Sequence, residues 1–361
     1  MKHENQTSQV SKIIWAVDPF AKDKSFQKNA AWGLRALVKD EKTVIEPVYS
    51  LGSYPSGLPF EGPKDLLEQV RLKAQDEMEE LLRRVKLPGL LPIRVLPALT
   101  DTLRGRTDQL IAYAKESGAC LIVASTRARK GPNRWITGSF AESLMLRSDV
   151  PLFLVNPWWD RSSDLKQILF PTDFSDESKG AFRQVLQLAK AMKGRVTIYH
   201  KIGYDLDPVV GIGLAAFPPF IPIPPETYEE EVKARKEQAL RWAKEADGQG
   251  VRADTFVDAR VVGSPSDAIL RFSKKKPGMI AMAAHSGSLA AVMLGSTTRQ
   301  VVRSSGVPVW IVHTPPKQKK REAGLRTLRA RRKTAQPVSF AVTEEEVMGD
   351  LQDHGRKARE A

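Results

Sequence analysis

Apolar residues in this chain fall in short dense runs, and between the runs lie longer stretches with helical periodicity. The first run, Lys12-Ile13-Ile14-Trp15-Ala16-Val17, ends at Asp18. A run this dense predicts a strand buried on both faces. Residues 25–39 place Ala30, Leu34, Leu37 and Val38 on one side of a helix. Residues 43–49 read as a second strand, 52–63 as a loop rich in Gly and Pro, and 64–86 as a long charged amphipathic helix. Strands at 92–97, 119–124 and 150–155 alternate with helices at 107–117 and 140–147, and Gly118 is placed to close the first of these helices. The same order then recurs. Strands are expected at 165–170, 195–200, 251–257, 279–284 and 307–312, and helices near 178–192, 226–247, 265–274 and 298–304. Apolar strands alternating with helices imply an α/β fold with parallel sheets covered on both faces.

The recurrence extends to residue identity. Residues 138–155 read GSFAESLMLRSDVPLFLV and residues 295–312 read GSTTRQVVRSSGVPVWIV. They match at Gly, Ser, Ser, Val, Pro and Val. Upstream, Ala16-Val17-Asp18-Pro19-Phe20 corresponds to Pro171-Thr172-Asp173-Phe174-Ser175. The offset is 155 for the Asp pair and 157 for the Gly-Ser and Pro151/Pro308 pairs, which marks a tandem duplication. The expected domains are 11–157 and 164–315, with an N-terminal tail at 1–10 and a basic C-terminal tail at 316–361.

Composition is that of an ordinary globular protein, 42% hydrophobic and 27% charged. Apolar runs are too short for a transmembrane helix, and residues 1–10 lack the apolar core of a signal peptide, so the expected compartment is the cytoplasm. The net charge of +14 is concentrated. Residues 317–333, KQKKREAGLRTLRARRK, carry nine Lys/Arg against one Glu, so most of the basicity belongs to the tail. That tail reads either as a segment without a fixed partner or as an electrostatic contact for nucleic acid or anionic lipid. Residues 204–225, YDLDPVVGIGLAAFPPFIPIPP, are too proline-rich for a helix and too apolar for a solvated linker. They read as a cover over the chain's own apolar surface or as a surface for a partner protein. The single cysteine, Cys120, lies in the apolar run ACLIVAS and is expected to be buried.

In an open parallel sheet a ligand sits beyond the carboxyl ends of the strands, where strand order reverses. Asp18 or Asp173, the loop after the fourth strand, and the Gly138-Ser139 or Gly295-Ser296 pair converge there. Each Gly-Ser opens a helix, where it serves as a simple cap or as a cradle for an anion.

These residues resemble the universal stress protein family. Residues 166–175, KQILFPTDFS, look like the opening of such a domain, and GS-x10-VP followed by three apolar residues and Val is similar to its ending. Gly263-Ser264-Pro265 fits the family's turn after strand 3. The resemblance covers about 11–157 and 164–313. It implies two doubly wound five-stranded parallel sheets of order 3-2-1-4-5, related to the Rossmann fold and to adenine nucleotide alpha hydrolases. It also implies pairing of the two domains through their last strands, within the chain or with further dimerisation. Members of the family that bind ATP carry G-x2-G-x9-G-[S/T]. The matching positions of the first repeat are Ser125, Ala128, Gly138 and Ser139, so spacing is kept while two glycines are replaced. The second repeat has His285, Gly287, Gly295 and Ser296 in a loop one residue shorter, after Pro171 and Asp173. A Cβ in place of a phosphate-loop glycine crowds the amides, and Arg127, Arg129, Lys130 and Arg134 offset that loss by charge or form a solvated face.

No zinc, cysteine-cluster or nucleophile-elbow motif occurs, so no catalytic set is expected beyond weak ATP hydrolysis, and no metal beyond Mg²⁺ carried by a nucleotide. The expected function is a tandem stress-response binding module for ATP or another adenine nucleotide. The alternative is a structural adaptor that docks partners through the proline-rich loop and the basic tail.

Overall fold

A computed structural model of the chain describes residues 11–21, 24–38, 42–52, 64–97, 102–126, 140–202, 225–260, 263–276, 278–285 and 295–314. In the first repeat the elements are β1 (Ser11–Ala16), α1 (Ser25–Leu37), β2 (Thr43–Ser50), α2 (Lys64–Val85), β3 (Arg94–Leu96), α3 (Leu103–Glu116), β4 (Ala119–Ser125), α4 (Phe140–Arg147) and β5 (Leu152–Val155). The second repeat follows with β6 (Gln167–Pro171), α5 (Asp176–Met192), β7 (Arg195–Lys201), α6 (Pro225–Gly248), β8 (Ala253–Asp258), α7 (Pro265–Lys275), β9 (Met279–His285), α8 (Ser296–Ser304) and β10 (Val309–Thr314).

The strands form one ten-stranded sheet of order β3-β2-β1-β4-β5-β10-β9-β6-β7-β8. Each repeat therefore has the expected 3-2-1-4-5 order. The repeats join where β5 pairs antiparallel with β10, Phe153 facing Trp310. The other pairings in the sheet are parallel. The hydrophobic clusters follow the faces of the sheet. One layer takes Leu34 of α1, Met78 of α2, Phe182 of α5 and Trp242 of α6; the other takes Leu110 of α3, Leu144 of α4, Ile269 of α7 and Val301 of α8. Both layers run through both repeats. Two-faced burial is why the strands read as unbroken apolar runs: Ile14, Trp15, Ile122, Val123 and all of Leu152–Val155 are buried.

Two local expectations change. Helix α3 begins four residues earlier than its apolar periodicity indicated, because Thr102 caps it by accepting a hydrogen bond from Gly105 N at 3.0 Å. Thr107, expected at the start, is a buried interior residue whose hydroxyl donates to Leu103 O. Cys120 is exposed rather than buried. It lies ahead of the buried stretch of β4, with its thiol resting on the Lys12 carbonyl at 3.3 Å and its pKa pushed up by desolvation. The stretch between the repeats is fixed in place. Asn29 of α1 donates to the carbonyls of Asn156, Pro157 and Trp159 while Trp32 packs edge-on against Trp159. The proline-rich stretch from 204 falls almost wholly outside the described residues, as does the basic tail.

Candidate functional site

Strand order brings the carboxyl ends of β1 and β4 together in the first repeat, and those of β6 and β9 in the second. Asp18 stands two residues past β1. Its Oδ1 accepts from Phe20 N at 3.2 Å, and Gln27 of α1 donates to its main-chain carbonyl. Ser125 ends β4, but its hydroxyl turns inward and donates to Phe26 O at 2.9 Å. The next residue, Thr126, donates to the side chain of Asn156. Ala128, Gly138 and Ser139 lie outside the described residues, and α4 begins directly after them.

In the second repeat Pro171 ends β6 and Asp173 follows at the surface. Asp173 Oδ1 accepts from Ser178 Oγ at 2.6 Å and from Ser175 N at 2.9 Å. Burial pushes this carboxyl up, but the donors from Ser178 and Ser175 outweigh it and hold the pKa below the ordinary value. The turn is fixed by Phe174, whose left-handed backbone (φ 62°) lets its ring pack under His200 and edge-on to Trp242. His200 packs and bonds as part of the fold. Its Nδ1 bonds the Thr172 carbonyl at 2.7 Å, and burial lowers its pKa. His285 ends β9, in register with Thr314. Gly287 is outside the described residues.

Gly295 is the N-cap of α8 and Ser296 its first residue, and both are exposed. Unlike Thr102, Ser175 and Ser264, which cap α3, α5 and α7 through their side chains, Gly295 leaves the first turn of α8 without a side-chain partner. Its φ of −56° is open to any residue, and a Cβ built there meets nothing within 4 Å. The fold therefore imposes no glycine at 295. An anion approaching the helix N-terminus would gain from its absence of side chain.

Register also aligns the repeats where sequence spacing is ambiguous. Ile13 pairs with Leu121 and the equivalent Ile168 with Met279, so Ser125 corresponds to Ala283. Both are half-buried, and neither is the glycine of a phosphate loop.

Two further polar constellations were not anticipated from the sequence. Asn156, just past β5, and His313, within β10, each reach into the other repeat. At the carboxyl ends of β7 and β8, Tyr199 and Arg260 grip the buried carboxylate of Asp258. Tyr199 OH donates at 2.9 Å, Arg260 Nε at 2.8 Å and Arg260 Nη2 at 2.5 Å. The Arg260 bonds are the main reason the Asp258 carboxyl is held far below the carboxylate range, and desolvation first, then Asp258, push the Tyr199 phenol well above its ordinary value. Among the described residues no group of three or more His, Cys, Asp or Glu is arranged to hold a metal, and no helix is long and apolar enough to cross a membrane.

The family model for the universal stress protein family matches residues 10–156 and 165–313, well over half of the chain. A universal stress protein of Methanocaldococcus jannaschii is 28% identical over 156 residues, covering 42% of this chain and 85% of that protein. Among solved structures, a universal stress protein from Archaeoglobus fulgidus aligns with a TM-score of 0.56 at 15% identity, over 84% of this chain and 99% of its own. A functionally unknown protein from Pseudomonas aeruginosa aligns with a TM-score of 0.50 at 13% identity, over 89% and 98%. At these identities the structural likeness speaks to the fold.

Proposed function

This chain belongs to the universal stress protein family, and on that footing we propose that it is a nucleotide-responsive binding module whose second repeat takes an adenine nucleotide. The observation that carries the assignment to the second repeat is the open N-terminus of α8. Gly295 gives the helix no side-chain cap, a Cβ built there meets nothing within 4 Å among the described residues, and its φ does not call for glycine. In this reading the α8 amides and the Ser296 hydroxyl receive a phosphate, while the Asp173 carboxylate, ionised at neutral pH, accepts from a ribose hydroxyl. His285 adds a contact from the end of β9. Any Mg²⁺ arrives with the nucleotide.

The first repeat is the weaker candidate. Ser125 spends its hydroxyl on Phe26 O, and Thr126 spends its own on Asn156, so both groups serve the fold. That favours a supporting role for the first half, with docking of a partner protein through the 204–225 segment or the basic tail as the function left to the chain if neither half binds nucleotide. In this reading the module acts by binding, in the cytoplasm, rather than by turnover. Native mass spectrometry of the purified chain tests the reading. Co-purified ATP, ADP or AMP, or a melting temperature raised by millimolar ATP, supports it; an empty protein indifferent to ATP removes it.

A further inference from the structure

The second repeat contains a buried cation that the first does not. Lys201 ends β7 and is only 8% exposed. Its ammonium donates to Ile202 O at 2.8 Å and to Arg260 O, leaving one of three donors over. It forms no ion pair among the described residues. The nearby carboxylate, Asp258, is already held by Tyr199 and by both sides of the Arg260 fork. Arg271 of α7 adds a third cation, its guanidinium lying over Gly263, where a Cβ would sit 3.3 Å from Nη2. Burial is the largest cause lowering the Lys201 pKa; the Asp258 charge opposes it, and the charges of Arg260 and Arg271 add to it. Three cations thus face one carboxylate at the carboxyl edge of a parallel sheet. A buried ammonium whose nearby carboxylate is already bonded by an arginine is costly, and a second anion relieves that cost.

The first repeat shows that the fold does not need this charge. Pairing places Val48 where the second repeat has Tyr199, Ser50 where it has Lys201 and Leu96 where it has Asp258. An apolar pair and a small hydroxyl fill the same corner, with Ser50 bonding Arg106 O and Gln109. The Lys201–Asp258 combination thus belongs to the second half, while the corner of the first holds the Arg106 guanidinium beside Gly52.

We propose that Lys201, Arg260 and Arg271 form an anion site for the phosphoryl group of a small ligand, at the ends of β7 and β8 and separate from the N-terminus of α8. The surplus of two positive charges matches a phosphate dianion, and a guanidinium fork presents paired donors to its oxygens. The β7–β8 corner and Gly295 lie on opposite sides of β6 in the sheet order, so the two places are filled independently.

The test is the melting temperature of the full chain titrated with inorganic phosphate or methyl phosphate, against chloride at matched ionic strength. Either anion is expected to raise the melting temperature, and a larger rise with methyl phosphate identifies an ester as the preferred source. Lys201→Gln keeps donors for the two carbonyls and removes the charge, and the exposed Arg271→Gln leaves the core untouched, so at least one variant folds. Ser296→Asp, whose negative charge repels phosphate from α8, is expected to retain a phosphate response, and adding either variant to it is expected to abolish that remainder. A response retained by Ser296→Asp combined with Arg271→Gln, or lost with Ser296→Asp alone, overturns the proposal. So does an unaltered chain indifferent to both anions.

Discussion

Asn156 and His313 hold the same position in the two repeats, and each hydrogen-bonds the last helix of the other. Asn156 Nδ2 donates to Val302 O at 3.2 Å and to Ser305 O at 2.6 Å. His313 Nε2 donates to Met145 O at 3.0 Å, and Met145 is the counterpart of Val302. Because a carbonyl only accepts, the His313 proton resides on Nε2. Helices α4 and α8 are the ones that follow the two Gly-Ser pairs. Each repeat therefore fixes the helix on which the other repeat's candidate site stands, and Glu142 of α4 and Arg303 of α8 join the same seam at 3.0 and 3.2 Å.

Asn156→Ala removes a buried side chain that serves Val302 O, Ser305 O and Thr126 together. Leaving such groups unsatisfied costs about 1–3 kcal/mol for each. Urea denaturation of the full chain is expected to show a loss of at least about 2 kcal/mol, and a change within about 0.5 kcal/mol refutes this role for Asn156.

His313 makes the seam sensitive to acid. Burial lowers its pKa, outweighing the Met145 bond and the Asp149 charge that raise it. The unfolded chain then takes up a proton near pH 6.5 while the folded chain resists until lower pH. The stability is full above about 6.5 and falls as pH drops below it. His200 is lowered in the same direction, so part of the effect is its own. His313→Asn, which copies the residue at position 156, is expected to shrink the fall in melting temperature between about pH 7.5 and 5.5. An undiminished fall assigns the sensitivity elsewhere.

Gly295→Ser separates fold from function. Serine is at least as good an N-cap as glycine, the φ is accessible to it, and the space above is open. Stability is expected to hold or rise by a few tenths of a kcal/mol. The new hydroxyl would cover the amides offered to a phosphate, so any stabilisation by ATP is expected to fall. Equal ATP response in the two proteins would mean that the α8 N-terminus receives no phosphate.

Gly278→Ala is the contrasting case. A Cβ there would lie 1.9 Å from the main-chain oxygen of Gln167, where β9 enters the sheet beside β6. Backbone must move to admit it, so a destabilisation of about 2 kcal/mol or more is expected by thermal or urea melting. A neutral result would place the β6–β9 entry differently.

The strands were legible because burial on both faces leaves long apolar runs, and the order of the sheet followed from the family resemblance. Periodicity alone missed the start of α3, because its first turn is set by the Thr102 cap rather than by apolar spacing. Burial of Cys120 was misread because a strand's end looks like its middle in sequence. The Gly-Ser pairs were visible as repeats, but the openness of α8 was not, since it depends on what does not pack there. Lys201, Asp258 and Arg260 are brought together only by the pairing of β7 with β8, which no local sequence pattern shows. Asn156 and His313 carried a usable signal: both stand just past the repeated Val-Pro strand motif, at the offset of that motif.

The antiparallel β5–β10 pair decides what a single repeat would do alone. Leu152, Phe153, Leu154 and Val155 are all buried, Phe153 packs edge-on against Trp310 at 5.9 Å, and both hydrophobic layers continue across this junction. Cutting the chain in the 156–163 linker would leave β5 with an unpaired, apolar edge and α4 without its contacts to Arg303 and His313. An exposed apolar strand edge recruits another strand. The partner closest in shape to β10 is β5 of a second copy, since the two strands are repeats of one element and already pair antiparallel about Phe153 and Trp310. A fragment of residues 1–163 is therefore expected to run as a dimer by light scattering, while the full chain satisfies this edge internally. Replacing Phe153 with Lys should make the fragment monomeric or insoluble. A soluble, monomeric fragment with native Phe153 would show that the junction is not what holds the halves together.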